Sequence, residues 1–183
     1  MRLDDCVFVT SNRGKLREAE AVLGVALRHR GLDLDEPQSL DLREIVDAKA
    51  RAAHAVVRGP VLVEDTALEL LGLDGFPGPL IRWLLASVGP AGLCTISRAF
   101  ADPRAVARCR VCAFDGWQMI VGEGVVAGSI ADAPRGRGGF GWDCVFIPEV
   151  GDDRTYAELT DDEKNAISHR RGAFIALRDA LGA

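Results

Sequence analysis

Lysine is rare in this chain, and each lysine lies near other polar residues. The sequence holds three lysines, Lys15, Lys49 and Lys164, against nineteen arginines. Lysine is a compact point charge with three donors, whereas arginine is a planar fork, so the two are not equivalent at a phosphate. The three lysines therefore suggest sites for a phosphorylated ligand. Chance in an arginine-rich composition is an equally good explanation for so few positions.

The first lysine closes a polar turn that follows a short apolar run. Residues 6–10 read as a strand, and Thr10, Ser11 and Asn12 come between that run and Lys15. Ligands of open α/β sheets bind at the carboxyl ends of strands, and a helix N-terminus favours anions. The turn is thus a candidate phosphate site, although Ser11 or Asn12 could equally be an ordinary N-cap.

A pair of acids ends the second strand of this kind. Asp65 follows Glu64 and precedes Thr66 at the end of an apolar run, and Glu44 could supply another carboxylate. Mg²⁺ that is bound together with substrate phosphates needs one or two carboxylates and a few waters. The alternative is that Glu44 is a helix-start acid and Asp65 a solvated strand end.

A third polar region combines aromatic, acidic and cationic residues around a glycine-rich loop. Its members are Phe140, Gly141, Trp142, Asp143, Lys164, His169 and Arg170. One of the two rings could stack on a nucleobase, or either could belong to the core. A helix that starts at Ser168 would place positive charge against the helix dipole, whereas a helix that starts at the capping box of Thr160 would avoid this conflict. Both possibilities remain open.

Alternating strand and helix patterns in the first half predict a mixed sheet with helices. Strand patterns cover residues 6–10, 32–42, 61–65, 107–114, 117–121, 125–130 and 143–147, and helical patterns cover residues 15–27, 44–57, 80–88, 91–100 and 168–181. Asp115-Gly116 suits a tight hairpin turn. We therefore expect one α/β domain over residues 1–183, with a mixed sheet and a cleft between two lobes.

Composition limits the partners. The net charge of -5 argues against general binding to nucleic acid or to an anionic membrane. No apolar run is long enough to span a bilayer, and we expect a soluble cytoplasmic protein. The five cysteines read as reduced thiols. Cys109 and Cys112 are three apart in a strand pattern, which points them to opposite faces of the sheet.

Several of these blocks together resemble the inosine triphosphate pyrophosphatase family. The shared blocks are Thr10 to Lys15, Val63 to Thr66, Gly75 to Pro79, Phe140 to Asp143, and Thr155 to Glu158 through Lys164 to Arg170. The resemblance implies an elongated mixed sheet flanked by helices, two lobes around a nucleotide cleft, and a homodimer. It also implies hydrolysis of noncanonical purine nucleoside triphosphates (ITP, dITP and XTP) to the nucleoside monophosphate and pyrophosphate.

The resemblance implies roles for individual residues as well. Substrate contacts are implied at Thr10, Ser11, Asn12, Lys15, Lys49, Thr66, Arg82, Phe140, Gly141, Trp142, Asp143, Lys164, His169 and Arg170. Asp65 or a neighbouring acid would help to activate water, and Glu44 with Asp65 would hold Mg²⁺, for which Mn²⁺ is a possible substitute.

Two departures from the family pattern affect these assignments. The chain is shorter than usual before Lys49, so Glu36 or Asp47 is an alternative to Glu44, and Arg82 stands where a lysine is common. Two other functions remain: a nucleotide-binding module without turnover, and a related pyrophosphatase for other modified nucleotides.

Overall fold

The computed structural model describes residues 1–182. Within that range, seven strands form one sheet, and five α-helices flank it. In chain order the elements are β1 (Val7–Val9), α1 (Arg13–Leu23), β2 (Arg28–Arg30), α2 (Leu42–Val57), β3 (Val61–Leu70), β4 (Pro77–Gly78), α3 (Ile81–Ala99), β5 (Arg104–Phe114), β6 (Met119–Ile130), β7 (Phe146–Pro148), α4 (Asp161–Ile167) and α5 (His169–Leu181). No helix within residues 1–182 is long and apolar enough to cross a membrane.

The sheet combines a short parallel part with a long antiparallel part, as the sequence predicts. The strand order is β2-β1-β3-β5-β6-β7, with β4 paired to β3. Strands β2, β1 and β3 are parallel, and β3, β5, β6 and β7 pair antiparallel in succession. β1 pairs with β3 only through Val7↔Val61 and Phe8↔Leu62. The edge of β3 beyond Leu62 therefore lies next to the turn that follows β1.

Apolar packing divides the molecule into two lobes. At one end of the long strands, α1 and α5 cover one face of the sheet and α2 covers the other. At the opposite end, a separate cluster joins Leu68 and Leu70 of β3 to α3, β7 and the aromatic residues after Gly141. Glu64, Asp65 and Thr66 lie on β3 between these apolar regions. The polar segment of β3 thus marks the junction of the lobes.

Turns and caps that are evident in the sequence define several boundaries. Asp115 Oδ1 accepts hydrogen bonds from the backbone N–H groups of Trp117 and Gln118, both at 2.9 Å, and closes the hairpin between β5 and β6. Gly116 adopts φ 102° there, a conformation that suits glycine.

Cys109 and Cys112 pack into the clusters on opposite faces of the sheet. The prediction that they point to opposite faces of the sheet is confirmed.

Several predicted strands differ from the structure in position or extent. The strand expected at residues 32–42 is instead the short edge strand Arg28–Arg30. Leu32 and Leu34 alternate because they pack against the α2 side of the core, without strand pairing. The segments expected at residues 117–121 and 125–130 form one continuous strand, β6. Its glycines do not end the strand, because each lies where a side chain would not fit: Gly122 and Gly124 against the backbone of α5, and Gly128 against Phe146 and Ile147 of β7.

Candidate functional site

The turn after β1 is held by its own side chains. Thr10 Oγ1 accepts a hydrogen bond from the N–H of Asn12 at 3.1 Å. Asn12 is the N-cap of α1, and its Oδ1 accepts from the N–H groups of Gly14 at 2.8 Å and Lys15 at 3.2 Å. Ser11 is exposed. The N-cap interpretation is therefore correct for Asn12, and the cap places Lys15 in the first turn of α1.

Lys15 contacts both acids of β3. Its Nζ lies 3.0 Å from Oε1 of Glu64 and 3.0 Å from Oδ1 of Asp65. Although burial by itself lowers the pKa of Lys15, the two carboxylates raise it above its ordinary value. The structure thus brings together the Lys15 turn and Asp65. Asp65 is not the strand end that the sequence predicts, because β3 continues through it to Leu70, and the two meet because β1 stops pairing with β3 at Leu62.

Glu64 is the centre of a buried group of charges. Its side chain is 0% exposed, and Oε2 accepts from Nε of Arg170 at 2.9 Å and from Sγ of Cys109 at 3.1 Å. Burial alone would raise the pKa of Glu64, but Arg170 and Lys15 hold it well below its usual range. Burial, and then the neighbouring Glu64 carboxylate, raises the pKa of the Cys109 thiol well above its ordinary value. Glu64 is therefore an ionised carboxylate beside a neutral thiol.

Glu18 extends this group to the glycine-rich loop. One carboxylate oxygen of Glu18 binds Nη1 of Arg170, and the other lies 2.6 Å from Nζ of Lys164. Lys164 Nζ also lies 2.5 Å from Oδ2 of Asp143. Burial raises the pKa of Asp143 despite the opposing charge of Lys164. The result is a continuous chain of ion pairs from α1 and β3 through α5 and α4 to the loop.

The start of α5 resolves the two possibilities for the C-terminal helices. α4 begins with the capping box of Thr160 and Glu163 and ends at Ile167, and Ser168 then caps α5 by accepting from the N–H of Arg171 at 3.1 Å. Both caps are therefore real. Arg170 lies in the first turn of α5, where positive charge is unfavourable for the helix dipole. Its contacts with Glu64 and Glu18 offset that cost.

Phe140 packs over the turn after β1. A Cβ atom added to Gly14 would lie 2.5 Å from Cδ1 of Phe140, so the absence of a side chain at Gly14 makes room for the ring. The ring centroid lies 4.9 Å from Nζ of Lys164 and 5.6 Å from Cζ of Arg170. The N–H of Phe140 donates to Oδ2 of Asp143 at 2.7 Å, and Gly141 is exposed with φ 63°. Of the two loop rings, Phe140 is the half-buried one beside the cations.

Trp142 belongs to the core. Its ring packs edge-on against Phe146 and lies close to the rings of Tyr156 and His169. Tyr156 and His169 are stacked with their centroids 6.0 Å apart. Burial, together with the positive charges of Arg170 and Lys164, lowers the pKa of His169 well below its ordinary value. His169 is therefore a neutral ring in an aromatic cluster behind the ion pairs.

The remaining predicted residues lie outside the chain of ion pairs. Lys49 Nζ contacts Oε1 of Glu36 at 2.6 Å, and Glu44 accepts from Oγ of Ser39 at 2.7 Å. Arg82 is exposed beside the ring of Trp83, and Thr66 is half-buried. Asp47 contacts Arg110 at 3.2 Å. Within residues 1–182, no hydrogen bond or ion pair joins Glu44 or Arg82 to Asp65.

Metal-binding potential in the described part of the chain is limited. Residues 1–182 contain no group of three or more histidine, cysteine, aspartate or glutamate side chains that could hold a metal ion. Asp65 is nevertheless an accessible carboxylate, with 19% of its side chain exposed and Oδ1 directed at Lys15. A metal that takes most of its ligands from phosphate and water would need little more from the protein.

Sequence reasoning missed Glu18, Glu64 and Cys109 as parts of the site. Glu18 follows Lys15 by three residues, which places both on one side of a helix. Glu64 is a charged residue in the apolar run of a central strand, where a buried charge requires a partner. These two signals were present in the sequence. Cys109 carries no comparable signal, because a strand cysteine usually packs as a small apolar residue.

Comparison with known proteins agrees with this geometry. Inosine triphosphate pyrophosphatase 2 of Trypanosoma cruzi is 45% identical over 175 residues, which is 93% of this chain and 89% of that protein. Inosine triphosphate pyrophosphatase of Schizosaccharomyces pombe is 41% identical over 182 residues, 98% of this chain and 96% of that protein. These relatives match the chain over nearly its whole length.

Solved structures show the same fold. A HAM1 protein from Coxiella burnetii superposes with a TM-score of 0.79 at 27% identity, covering 97% of this chain and 98% of that one. A nucleoside-triphosphatase / dITP/XTP pyrophosphatase from Mycobacterium abscessus gives a TM-score of 0.70 at 27% identity, covering 90% and 94% of the two chains. The model of the Ham1 family matches residues 6–180. The chain belongs to the Ham1 family.

Proposed function

We propose that this protein hydrolyses the noncanonical purine nucleoside triphosphates ITP, dITP and XTP to the nucleoside monophosphate and pyrophosphate. The observation that carries the proposal is the chain of buried ion pairs beside the accessible carboxylate of Asp65, at the junction of the lobes. The names of the relatives, inosine triphosphate pyrophosphatases at 41% to 45% identity, support the substrate class.

Lys15 and Asp65 have complementary parts in this reaction. The Nζ of Lys15 is a point charge held at the start of α1, where a helix N-terminus also favours phosphate. Asp65 is placed to accept a proton from an attacking water, because its carboxylate lies 3.0 Å from Nζ of Lys15 and reaches solvent. Lys15 thus orients the phosphates, and Asp65 holds the water and takes its proton.

The charges around the site support a requirement for Mg²⁺. The ion-pair chain contains three cations and four carboxylates, which leaves one negative charge in excess when all are ionised: Lys15, Lys164 and Arg170 against Glu18, Glu64, Asp65 and Asp143. A polyphosphate would meet no net positive charge there. We expect Asp65 to be a protein ligand of Mg²⁺, which would neutralise phosphate charge when bound. Mn²⁺ should substitute, since it takes the same oxygen ligands.

The second metal ligand is a choice between acids that the structure places apart. Glu44 is the residue expected from the sequence, and the alternatives are Glu36, which is paired with Lys49, and Asp47, which is paired with Arg110. Titration of pyrophosphate release with Mg²⁺ in Glu44→Gln, Glu36→Gln and Asp47→Asn separates them. The variant that removes a ligand should need more Mg²⁺ for half-maximal activity, and the other two should match the wild type.

One assay tests the proposed function as a whole. Pyrophosphate release is measured from ITP, XTP, ATP, GTP and dUTP, with and without Mg²⁺. We expect turnover of ITP and XTP well above that of ATP, only with metal, because donors arranged for the carbonyl oxygen at C6 are left unpaired by adenine. Tight ITP binding without turnover would favour a binding module. Preference for dUTP would favour a pyrophosphatase for other nucleotides.

The expected homodimer and cytoplasmic location stay predictions. The homodimer comes from the resemblance to the family, and the location comes from the composition of the sequence. Sedimentation equilibrium across a range of protein concentrations tests the first, and imaging of a tagged full-length protein tests the second. A monomer at all concentrations would reject the dimer.

A further inference from the structure

Glu64 receives donors from three separate elements. Lys15 of α1 approaches Oε1 at 3.0 Å. Arg170 of α5 binds with two nitrogens, Nε at 2.9 Å from Oε2 and Nη2 at 3.4 Å from Oε1. Cys109 of β5 donates its thiol to Oε2 at 3.1 Å. The carboxylate of Glu64 therefore connects α1 and α5, which carry Lys15 and Arg170, to the central strands β3 and β5.

These contacts use the acceptor capacity of Glu64 and leave that of its neighbour free. A carboxylate offers about four lone-pair sites, and two donors point at each oxygen of Glu64. Its side chain is fully buried, so it has no access to a water or a metal ion. Asp65 instead has one recorded donor, Lys15, and is partly exposed. Two adjacent acids on one strand thus have different environments.

We propose that Glu64 is a positioning residue that fixes Lys15 and Arg170 relative to each other. It thereby couples the end of the site that would bind the phosphates, at Lys15, to the end that would bind the nucleoside, at Arg170. This inference rests on the proposed function. No recorded contact within residues 1–182 joins Lys15 to Arg170, and each has a second carboxylate, Asp65 or Glu18. Without Glu64, the position of Lys15 would depend only on Asp65 and that of Arg170 only on Glu18, so the two cations would no longer be held relative to each other.

Burial makes such a coupling strong. Hydrogen bonds between charged groups are shorter and stronger than neutral ones, and a low local dielectric strengthens them further. Cys109 completes the arrangement, because its thiol supplies the donor that the remaining lone pair of Glu64 requires. Serine would keep a donor at this position, and alanine would remove it.

The test compares Glu64→Gln with the wild type for two probes that report on the two ends. Calorimetry measures the Kd of inorganic pyrophosphate and, separately, of inosine monophosphate, both with Mg²⁺ present. The glutamine keeps the shape but turns an acceptor into a donor that faces Arg170 and Lys15. We expect both affinities to fall about tenfold or more, since hydrogen bonds to charged groups contribute about 1.5 to 3 kcal/mol.

Glu69→Gln is the matched control. Glu69 lies on the same strand and is ion-paired with Arg108 at 2.7 Å, but it lies outside the chain of ion pairs around Glu64. This variant should bind both probes as the wild type does. If a folded Glu64→Gln protein loses affinity for only one probe, or for neither, the proposed coupling is wrong.

A second pair of variants covers the case in which Glu64→Gln does not fold. Cys109→Ala should weaken both probes together, by about two- to fivefold for one lost weak donor, and Cys109→Ser should restore both. Unchanged affinities in Cys109→Ala would overturn the proposal. A wild-type protein that binds pyrophosphate but does not hydrolyse ITP would instead defeat the proposed function, and the two affinities would still decide the role of Glu64.

Discussion

Replacing Lys164 by methionine should strongly destabilise the protein. The Nζ of Lys164 lies 2.6 Å from Glu18 and 2.5 Å from Asp143, and the lysine side chain is only 4% exposed. At an effective dielectric near 20, each such pair is worth about 6 kcal/mol of Coulomb energy, much of which offsets desolvation. Methionine removes the attraction but leaves both carboxylates buried. The free energy of unfolding should therefore fall by about 3 to 5 kcal/mol at pH 8.

The loss should shrink as the pH falls. Burial already raises the pKa of Asp143, and removal of Lys164 raises it further. A carboxyl group whose pKa is higher in the folded than in the unfolded state binds protons more tightly when folded. Acidification therefore stabilises the folded variant, by up to about 1.4 kcal/mol per pH unit for one proton. Part of the deficit at pH 8 should be recovered at pH 5.5.

Urea denaturation at the two pH values measures both effects. Lys49→Met is the matched control, because Lys49 also forms a close ion pair, but with the single carboxylate of Glu36, which is 36% exposed. Exposed pairs contribute about 0 to 1 kcal/mol, so the control should unfold nearly as the wild type does. A Lys164→Met protein within 1 kcal/mol of the wild type at pH 8 would refute the buried-network reasoning. So would an equal deficit at both pH values.

Three other substitutions test separate features of the site and fold. Asp65→Asn should remove most ITP turnover while changing the free energy of unfolding by less than about 1 kcal/mol, and wild-type turnover would reject Asp65 as the catalytic group. Gly124→Ala should destabilise by about 1 to 3 kcal/mol in urea, because a Cβ there would overlap the carbonyl oxygen of His169. His169→Phe tests the buried neutral ring. Burial lowers the pKa of His169 below its value in the unfolded chain, so the free energy of unfolding of the wild type should fall as the pH drops below about 6.5. Because phenylalanine does not titrate, the free energy of unfolding of the variant should depend less on pH in this range.

The parallel part of the site could be predicted from the sequence. Two apolar runs, each followed by polar residues, predict parallel strands, and Lys15 does contact Asp65. The predicted end of the second strand at Asp65 is wrong, because β3 continues to Leu70. The inference of parallel strands needs only the period of the strands and the position of the polar residues. The same reasoning gives the N-cap at Asn12 and the hairpin at Asp115.

The antiparallel part of the sheet and the residues expected to contact the nucleobase could not be predicted in the same way. Whether Trp142 or Phe140 faces the cleft depends on the path of a glycine-rich loop, which has no periodicity. Trp142 enters the core because Tyr156 and His169, distant in sequence, provide a surface for its ring. The partners of Arg170 were equally inaccessible, because Glu64 and Glu18 come from elements that only the fold brings together.

The choice of lysine or arginine at each position follows from the geometry of its partners. Arg170 binds Glu64 through Nε and Nη2 and Glu18 through Nη1, so one planar group spans two carboxylates that lie side by side. Lys164 has partners on several sides of a single atom, because Nζ lies between Glu18 and Asp143 and faces the ring of Phe140. A guanidinium would be too large and too flat for that position. The scarcity of lysine thus has a physical meaning at Lys164, and by the same reasoning at Lys15, where one Nζ touches two adjacent acids.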